Sequence, residues 1–261
     1  RVLTTRLAHI INSKKAWANQ ILCVTFTNKA AKEMQSRVLN YVSEKSTAVP
    51  WLGTFHSISV KFLRRHAGAI GLKGNFTIID TTDQKKIIRN ICKTEEIDAK
   101  KITPQFILSF IDKWKNNGLL PEDINEEKFT GLEKSIFKVY KIYQSKIRDL
   151  NACDFGDLIL YCVKLFENNS DIKNIYNSNF KYILVDEFQD TNFIQNKWLN
   201  LLVNENQNIC CVGDDDQSIY SWRGAEIKNF LTFDTIYKNC KIFKLEQNYR
   251  STKNILETAS T

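Results

Sequence analysis

The sequence predicts an α/β domain built on a parallel sheet, with an α-helical segment inserted into it. Three observations carry that expectation. Short apolar runs stand at Ile21–Phe26, Tyr182–Val185, Ile209–Val212 and Ile242–Leu245, each of the length expected for a strand covered on both faces. Helical periodicity fills much of the chain between them, and strands alternating with helices form parallel sheets. The stretch from about Thr81 to Leu150 departs from this pattern: it is rich in Lys, Asn, Ile and Glu and mostly helical in period.

The first run leads directly into a helix. Thr27 or Asn28 can cap it, and Ala30, Ala31, Met34, Val38 and Tyr41 recur at helical spacing. In the middle of the chain, Ile87, Ile88 and Ile91, then Phe106, Ile107, Phe110 and Ile111, then Ile136, Val139, Tyr140 and Tyr143 mark several helices. Residues 81–150 therefore read as a helical insertion, and residues 1–80 and 151–240 as two parts of one α/β domain. The pairs Lys85-Lys86 and Lys100-Lys101 suit either phosphate contact or a solvated face. No internal repeat or low-complexity tract appears.

The chain has 261 residues, enough for one large or two modest domains. Hydrophobic residues make up 43% and charged residues 25%, ordinary values for a globular protein. No apolar run approaches the ~18–20 residues that span a bilayer, and no secretory signal is visible at the N-terminus. The net charge of +8 favours a polyanionic partner. Seven cysteines, an odd number without a Cys-x-x-Cys pair, suggest neither a disulfide framework nor a zinc site; a reducing cytosol fits. His9, His56 and His66 do not cluster as metal ligands would. The chain begins at Arg1 and ends at Thr261 within a helix-like segment, so a fragment is expected.

The chemistry concentrates at strand ends. Lys181 to Asp190 reads as a buried strand ending in two adjacent carboxylates, Asp186 and Glu187. Open α/β sheets place their ligand crevice there. One carboxylate can hold Mg²⁺ while the other orients a water, the division of labour that phosphoryl transfer needs; the bland alternative is a solvated acidic pair. The run Ile209–Val212 leads into Gly213 to Ala225. Its Gln217 can donate and accept, which suits a γ-phosphate sensor. Tyr220, Trp222 and Arg223 can stack on bases and pair with phosphates, the alternative for the two aromatics being core anchors. In the segment Lys244 to Ser251, Tyr249 offers a flat face for a purine and Arg250 a planar charge for phosphate. Val24 to Ala31 opens a helix whose N-terminus suits an anion, and Phe26 is either core or a stacking platform. Gly53 to Ser57 brings Thr54, His56 and Ser57 as donors to a phosphate backbone. A Ser-His hydrolase is the alternative there, without a nucleophile elbow to support it.

Together the ordered motifs TFTNKAA (25–31), TFHS (54–57), DFGDL (154–158), VDEFQD (185–190), VGDDDQSIYSWRGA (212–225) and LEQNYRS (245–251) resemble those of the UvrD/Rep-type superfamily 1 DNA helicases across essentially the whole chain. The resemblance implies a RecA-like P-loop NTPase motor domain carrying a helical insertion, with residues 241–261 opening a second motor domain. It implies ATP and Mg²⁺ as cofactors. Asp186 would bind the metal, Glu187 would activate the water, and Gln217 and Arg250 would contact the γ-phosphate. Tyr249 would stack on adenine, with Arg1 the candidate for its other face. Phe26, Asn28, Thr54, His56, Tyr220, Trp222 and Arg223 would line a single-stranded DNA path. It further implies 3′ to 5′ translocation in repair or replication on single-stranded and partially duplex DNA, alongside repair or replication proteins. The expected setting is a bacterial-type cytoplasm, at the nucleoid and away from membranes.

The family's Gly-x-x-x-x-Gly-Lys-Thr phosphate loop does not occur in these 261 residues. Without it the β- and γ-phosphates lack their cradle, so the chain alone is expected to turn ATP over very slowly. Gly156 stands where family members often carry Asp, and Asp215 adds a carboxylate between Asp214 and Asp216. Two other readings remain open: the motor of a helicase–nuclease subunit, and a non-catalytic DNA-binding module.

Overall fold

In the computed structural model of the chain the described residues are 1–42, 48–97, 102–219, 224–237, 239–247, 251, 252, 254, 255 and 258. The first helix, α1 (Val2–Asn12), turns Leu3, Leu7 and Ile10 inward. It precedes β1 (Ile21–Thr25), whose five residues are all buried. The next helix, α2 (Asn28–Tyr41), is capped by Thr27, whose side chain accepts from the Ala30 amide at 3.1 Å. Ala31, Met34 and Val38 form its buried stripe, whereas Tyr41 is exposed. A short strand, β2 (Leu52–Thr54), runs directly into α3 (Phe55–Arg65).

The middle of the chain holds β3 (Thr77–Ile78), α4 (Thr81–Thr94), α5 (Pro104–Asn116) and α6 (Gly131–Asp149), followed by β4 (Ala152–Cys153). Asp80 caps α4, and Thr103 caps α5 with Pro104 at its first position, where a missing N–H costs nothing. Ile88 and Ile91, Ile107 and Ile111, and Ile136, Val139, Tyr140 and Tyr143 meet in one apolar cluster, the residues the helical spacing predicted. Phe106 is instead exposed. Lys86 pairs with Asp83 at 3.5 Å on the surface, and Lys100 and Lys101 lie outside the described residues.

The chain then returns through α7 (Phe155–Asn168) and α8 (Ser170–Asn179) to β5 (Tyr182–Val185), α9 (Phe193–Leu202) and β6 (Ile209–Cys211). The main sheet has the order β2-β1-β5-β6 and every pair is parallel. Val24 lies opposite Gly53 on one side and Val185 on the other, and Val185 lies opposite Cys211. Helices α1 and α2 cover one face of the sheet through Leu7, Ile10, Met34 and Val38. An aromatic cluster joins α3, α7, α8 and α9: Phe62 stacks on Trp51 at 4.9 Å and meets Phe166 at 5.2 Å and Trp198 at 6.0 Å. β3 and β4 pair in parallel as a separate two-stranded sheet.

The α/β class with a parallel sheet is therefore as the sequence predicts, and the three runs at β1, β5 and β6 form its strands within one residue of expectation. Two corrections stand. β2 has no apolar run to announce it; Leu-Gly-Thr is a strand because β1 has a free edge. The strand expected at Ile242–Leu245 is not formed: residues 241–247 carry no regular structure, and Phe243 is 81% exposed. An apolar run becomes a strand only where another edge accepts its backbone hydrogen bonds, and no ladder partner occurs among the described residues. Residues Arg1–Phe230 form one compact unit and Leu231–Thr261 another. Within the second, a short helix at Phe233–Ile236 brings the rings of Phe233 and Tyr237 to 4.6 Å. Among the described residues no helix is long and apolar enough to cross a membrane.

Candidate functional site

A parallel sheet delivers all its carboxyl ends to one edge. Here that edge collects Phe26 to Asn28 after β1, Thr54 to His56 after β2, Asp186 and Glu187 after β5, and Gly213 to Gln217 after β6. β1 leads to β2 on one side, while β5 and β6 lie on the other, so the strand order reverses at β1/β5. Such a switch point opens the crevice in which open α/β sheets bind ligands.

Asp186 occupies that point. Its amide donates to the Val24 carbonyl at 2.9 Å, fixing it beside the end of β1. The residue is half-buried. Burial, and then the neighbouring Glu187, push its carboxyl above the usual range. Beneath it, burial and then Asp186 push the Cys23 thiol far up, so Cys23 is a neutral filler. Among the described residues no cluster of three metal-ligating side chains occurs. A lone hard carboxylate fits Mg²⁺, which keeps most of its waters and takes phosphate oxygens rather than a protein cage.

Glu187 is exposed and sits at φ 53°, in the left-handed region, which a non-glycine residue enters at some cost. The backbone is held there from both sides: Phe188 donates to the Val212 carbonyl at 3.0 Å, and Asp190 donates to the Glu187 carbonyl at 3.0 Å. The carboxylate accepts from Gln189 Nε2 at 2.8 Å. Gln189 in turn accepts from the Asp214 amide through Oε1 at 3.1 Å. Asp214 caps the turn Asp215–Gln217, and its other oxygen accepts from Gln217 Nε2. The exposed Gln217 is thus joined to Glu187 through two buried or half-buried side chains. Asp215, the extra carboxylate, is exposed.

A second group lies along the same edge. Thr54 is buried and caps α3, accepting from the Ser57 amide at 3.2 Å, while Ser57 Oγ accepts from the Thr54 amide at 2.8 Å. These hydroxyls are occupied as a capping box, which accounts for Ser57 without hydrolase chemistry. His56 is half-buried, and burial holds its imidazole below the usual range. Its ring meets Phe155 edge-on at 5.8 Å, and Phe155 is 50% exposed. Phe26 is half-buried and Asn28 exposed. Tyr220, Trp222, Arg223, Tyr249 and Arg250 lie outside the described residues. After that loop the chain rejoins the site where Ala225 bridges to Asn192 and Glu226 donates to the Thr191 carbonyl at 3.0 Å.

Two features escaped sequence reasoning. Phe155 lies within DFGDL, yet its position next to a capping Asp gave no sign that it would stay exposed. Lys115 is fully buried, 2.6 Å from Asp154 and 2.7 Å from Asp157. Tyr143 donates to Asp154 at 2.8 Å and Gln144 to Asp157 at 2.8 Å. Asp154 and Asp157 also form the capping box of α7, so this network fixes the helix end from which Phe155 projects. It also explains Gly156: a Cβ there would sit 2.9 Å from Lys115 Cδ.

Residues 1–238 match the family described as UvrD/REP helicase N-terminal domain. The chain is 46% identical over 260 residues to a protein of Staphylococcus epidermidis named ATP-dependent DNA helicase PcrA, covering 100% of this chain and 36% of that protein. It is 44% identical over 260 residues to the protein of the same name from Staphylococcus aureus, with the same coverage. The chain thus spans about a third of the length of these curated relatives.

Proposed function

The chain belongs to the UvrD/REP helicase family, through its N-terminal domain, and from that premise we propose that it is the first motor domain of an ATP-driven DNA helicase. The observation that carries this reading is the meeting, at one edge of a parallel sheet, of Asp186, Glu187 and the Gln217 loop with His56, Phe155 and Phe26. Nucleotide chemistry and a strand-binding surface then share one rigid frame.

In this reading the motor domain is RecA-like and comprises residues 1–80 and 151–240, the helices of 81–150 are an insertion, and 241–261 begin a second motor domain. Bound Mg²⁺ would neutralise charge on the phosphate oxygens, and Asp186 would hold it. Glu187 orients the attacking water and takes its proton. Gln217 reaches toward the terminal phosphate, and Arg250 adds a planar charge there. Tyr249 stacks on the base, with Arg1 on its other face. Phe26, Asn28, Thr54, His56, Tyr220, Trp222 and Arg223 line the single strand, to which Phe155 adds a stacking face. Movement is 3′ to 5′ on single-stranded or partially duplex DNA, in repair or replication, within a bacterial cytoplasm and in company with repair or replication proteins. The net charge of +8 supports a polyanionic track.

The test is phosphate release by the natural full-length protein with and without single-stranded DNA. Strong stimulation by DNA, lost in Glu187→Gln, is the expected result. DNA binding without turnover in either condition would make the chain a binding module and overturn the motor.

A further inference from the structure

Gln189 occupies an unusual place. It is 1% exposed, yet both ends of its amide are used, and by groups on two different strand ends. Nε2 donates to the Glu187 carboxylate at 2.8 Å, and Oε1 accepts from the Asp214 amide at 3.1 Å. A carboxylate can only accept and an amide N–H can only donate, so one orientation of the Gln189 amide alone satisfies both. Glutamate at this position would set two carboxylates against each other. An apolar residue would leave the Asp214 amide without its acceptor.

The neighbouring backbone is shaped to this side chain. A Cβ at position 213 would lie 2.5 Å from Gln189 Oε1 and 2.9 Å from the Phe230 ring. Glycine there lets the loop after β6 seat directly on Gln189. From Asp214 the connection continues to Gln217 through the Asp214 carboxylate. The far end of the loop is pinned to the same segment, Glu226 donating to Thr191 and Asn229 Nδ2 to the Thr191 carbonyl at 3.3 Å. Both ends of the loop are therefore tied to the residues that follow Glu187.

We propose that Gln189 is a positioning residue that locks the Glu187 carboxylate to the Gln217 loop, so that occupancy of the nucleotide site and the loop's grip on single-stranded DNA change together. This rests on the motor reading above. Two sites biased through one element are coupled reciprocally: nucleotide must alter DNA affinity by the same factor that DNA alters nucleotide affinity.

The experiment uses the natural full-length protein and Gln189→Glu, Gln189→Met and Gly213→Ala variants. Affinity for a fluorescent oligo-dT is measured with and without Mg²⁺ and a non-hydrolysable ATP analogue, and steady-state hydrolysis in parallel. In wild type the nucleotide is expected to shift oligo-dT affinity by about fivefold or more. In the variants that ratio should collapse toward one, while affinity without nucleotide stays within about twofold. The same variants should lose roughly tenfold or more in kcat with KM for ATP little changed, the pattern of an interaction made in the transition state. Gln189→Met keeps the volume, and Gly213→Ala leaves Gln189 in place while lifting the loop from it; thermal unfolding of each variant, expected to stay cooperative, separates loss of coupling from a folding defect. Variants that retain both the ratio and kcat overturn the role of Gln189. If wild type shows no nucleotide effect on oligo-dT affinity, or Glu187→Gln keeps full turnover, the motor reading itself falls.

Discussion

Lys115 Nζ lies 2.6 Å from Asp154 Oδ2, with Lys115 wholly sealed from solvent and Asp154 nearly so. The pair joins α5 to the N-cap of α7, across 39 residues of sequence. Burial alone would drive the lysine toward neutrality, but Asp154 and Asp157 outweigh it and raise its pKa. Removing one member leaves an uncompensated buried charge. Lys115→Met is expected to cost roughly 3–5 kcal/mol, whereas neutralising the set together, as Lys115→Met with Asp154→Asn and Asp157→Asn, should recover much of that loss. Urea unfolding measures both; a single variant as stable as wild type would show that the network contributes nothing.

The same network sets a pH dependence. Burial, and then the charge of Asp154, push the Asp157 carboxyl up to about 6, against the pull of Lys115. Between the unfolded value near 3.9 and this raised one, the folded protein keeps a proton that the unfolded chain releases. The contribution of Asp157 to stability is therefore full at the acid end and lost as pH rises through about 6. Asp157→Asn cannot ionise, so its stability relative to wild type should improve steadily from acid to neutral pH. A difference that stays flat, or moves the other way, contradicts the assignment.

His56 meets Phe155 edge-on at 5.8 Å, on the surface proposed above to bind single-stranded DNA. Phe155→Ala should weaken oligo-dT binding by ~1–3 kcal/mol, and Trp222→Ala by a similar amount, if each stacks on a base. Fluorescence anisotropy at fixed salt reads this directly. Unchanged affinity in Phe155→Ala would leave it an ordinary surface aromatic, and in Trp222→Ala would return the tryptophan to the core.

Glu187→Gln keeps the side-chain shape while removing the proposed base. A loss of roughly 10²–10⁴-fold in kcat is expected, with KM for ATP and affinity for single-stranded DNA nearly unchanged. A variant that instead loses nucleotide binding would assign Glu187 to the metal alongside Asp186.

A polypeptide of residues 1–261 alone carries no Gly-x-x-x-x-Gly-Lys-Thr loop, and so lacks the backbone donors that cradle the β- and γ-phosphates. It is expected to hydrolyse Mg²⁺-ATP barely above background. Measurable turnover abolished by Glu187→Gln would mean that Asp186 and the Gln217 loop suffice to hold the phosphates.

The sequence by itself determined the elements whose signal is local. β1, β5 and β6 are apolar runs with strand length, and the stripes Ala31-Met34-Val38 and Ile136-Tyr140-Tyr143 are one-face patterns. The place of Asp186 and Glu187 at a strand end was legible for the same reason: they follow β5 directly. Only the tertiary structure decided the features made by groups far apart in the chain. Ile242–Leu245 has the composition of a strand and is none, since a ladder needs a second edge. Leu52–Thr54 has little strand signal and is one, because β1 supplies that edge. Lysines are read as solvated, and nothing near Lys115 announces that two carboxylates await it. Gln189 meets Asp214 across 25 residues because β5 and β6 lie side by side in parallel. Local pattern sets what each segment can become, and the pairing of distant segments sets which buried polar groups find partners.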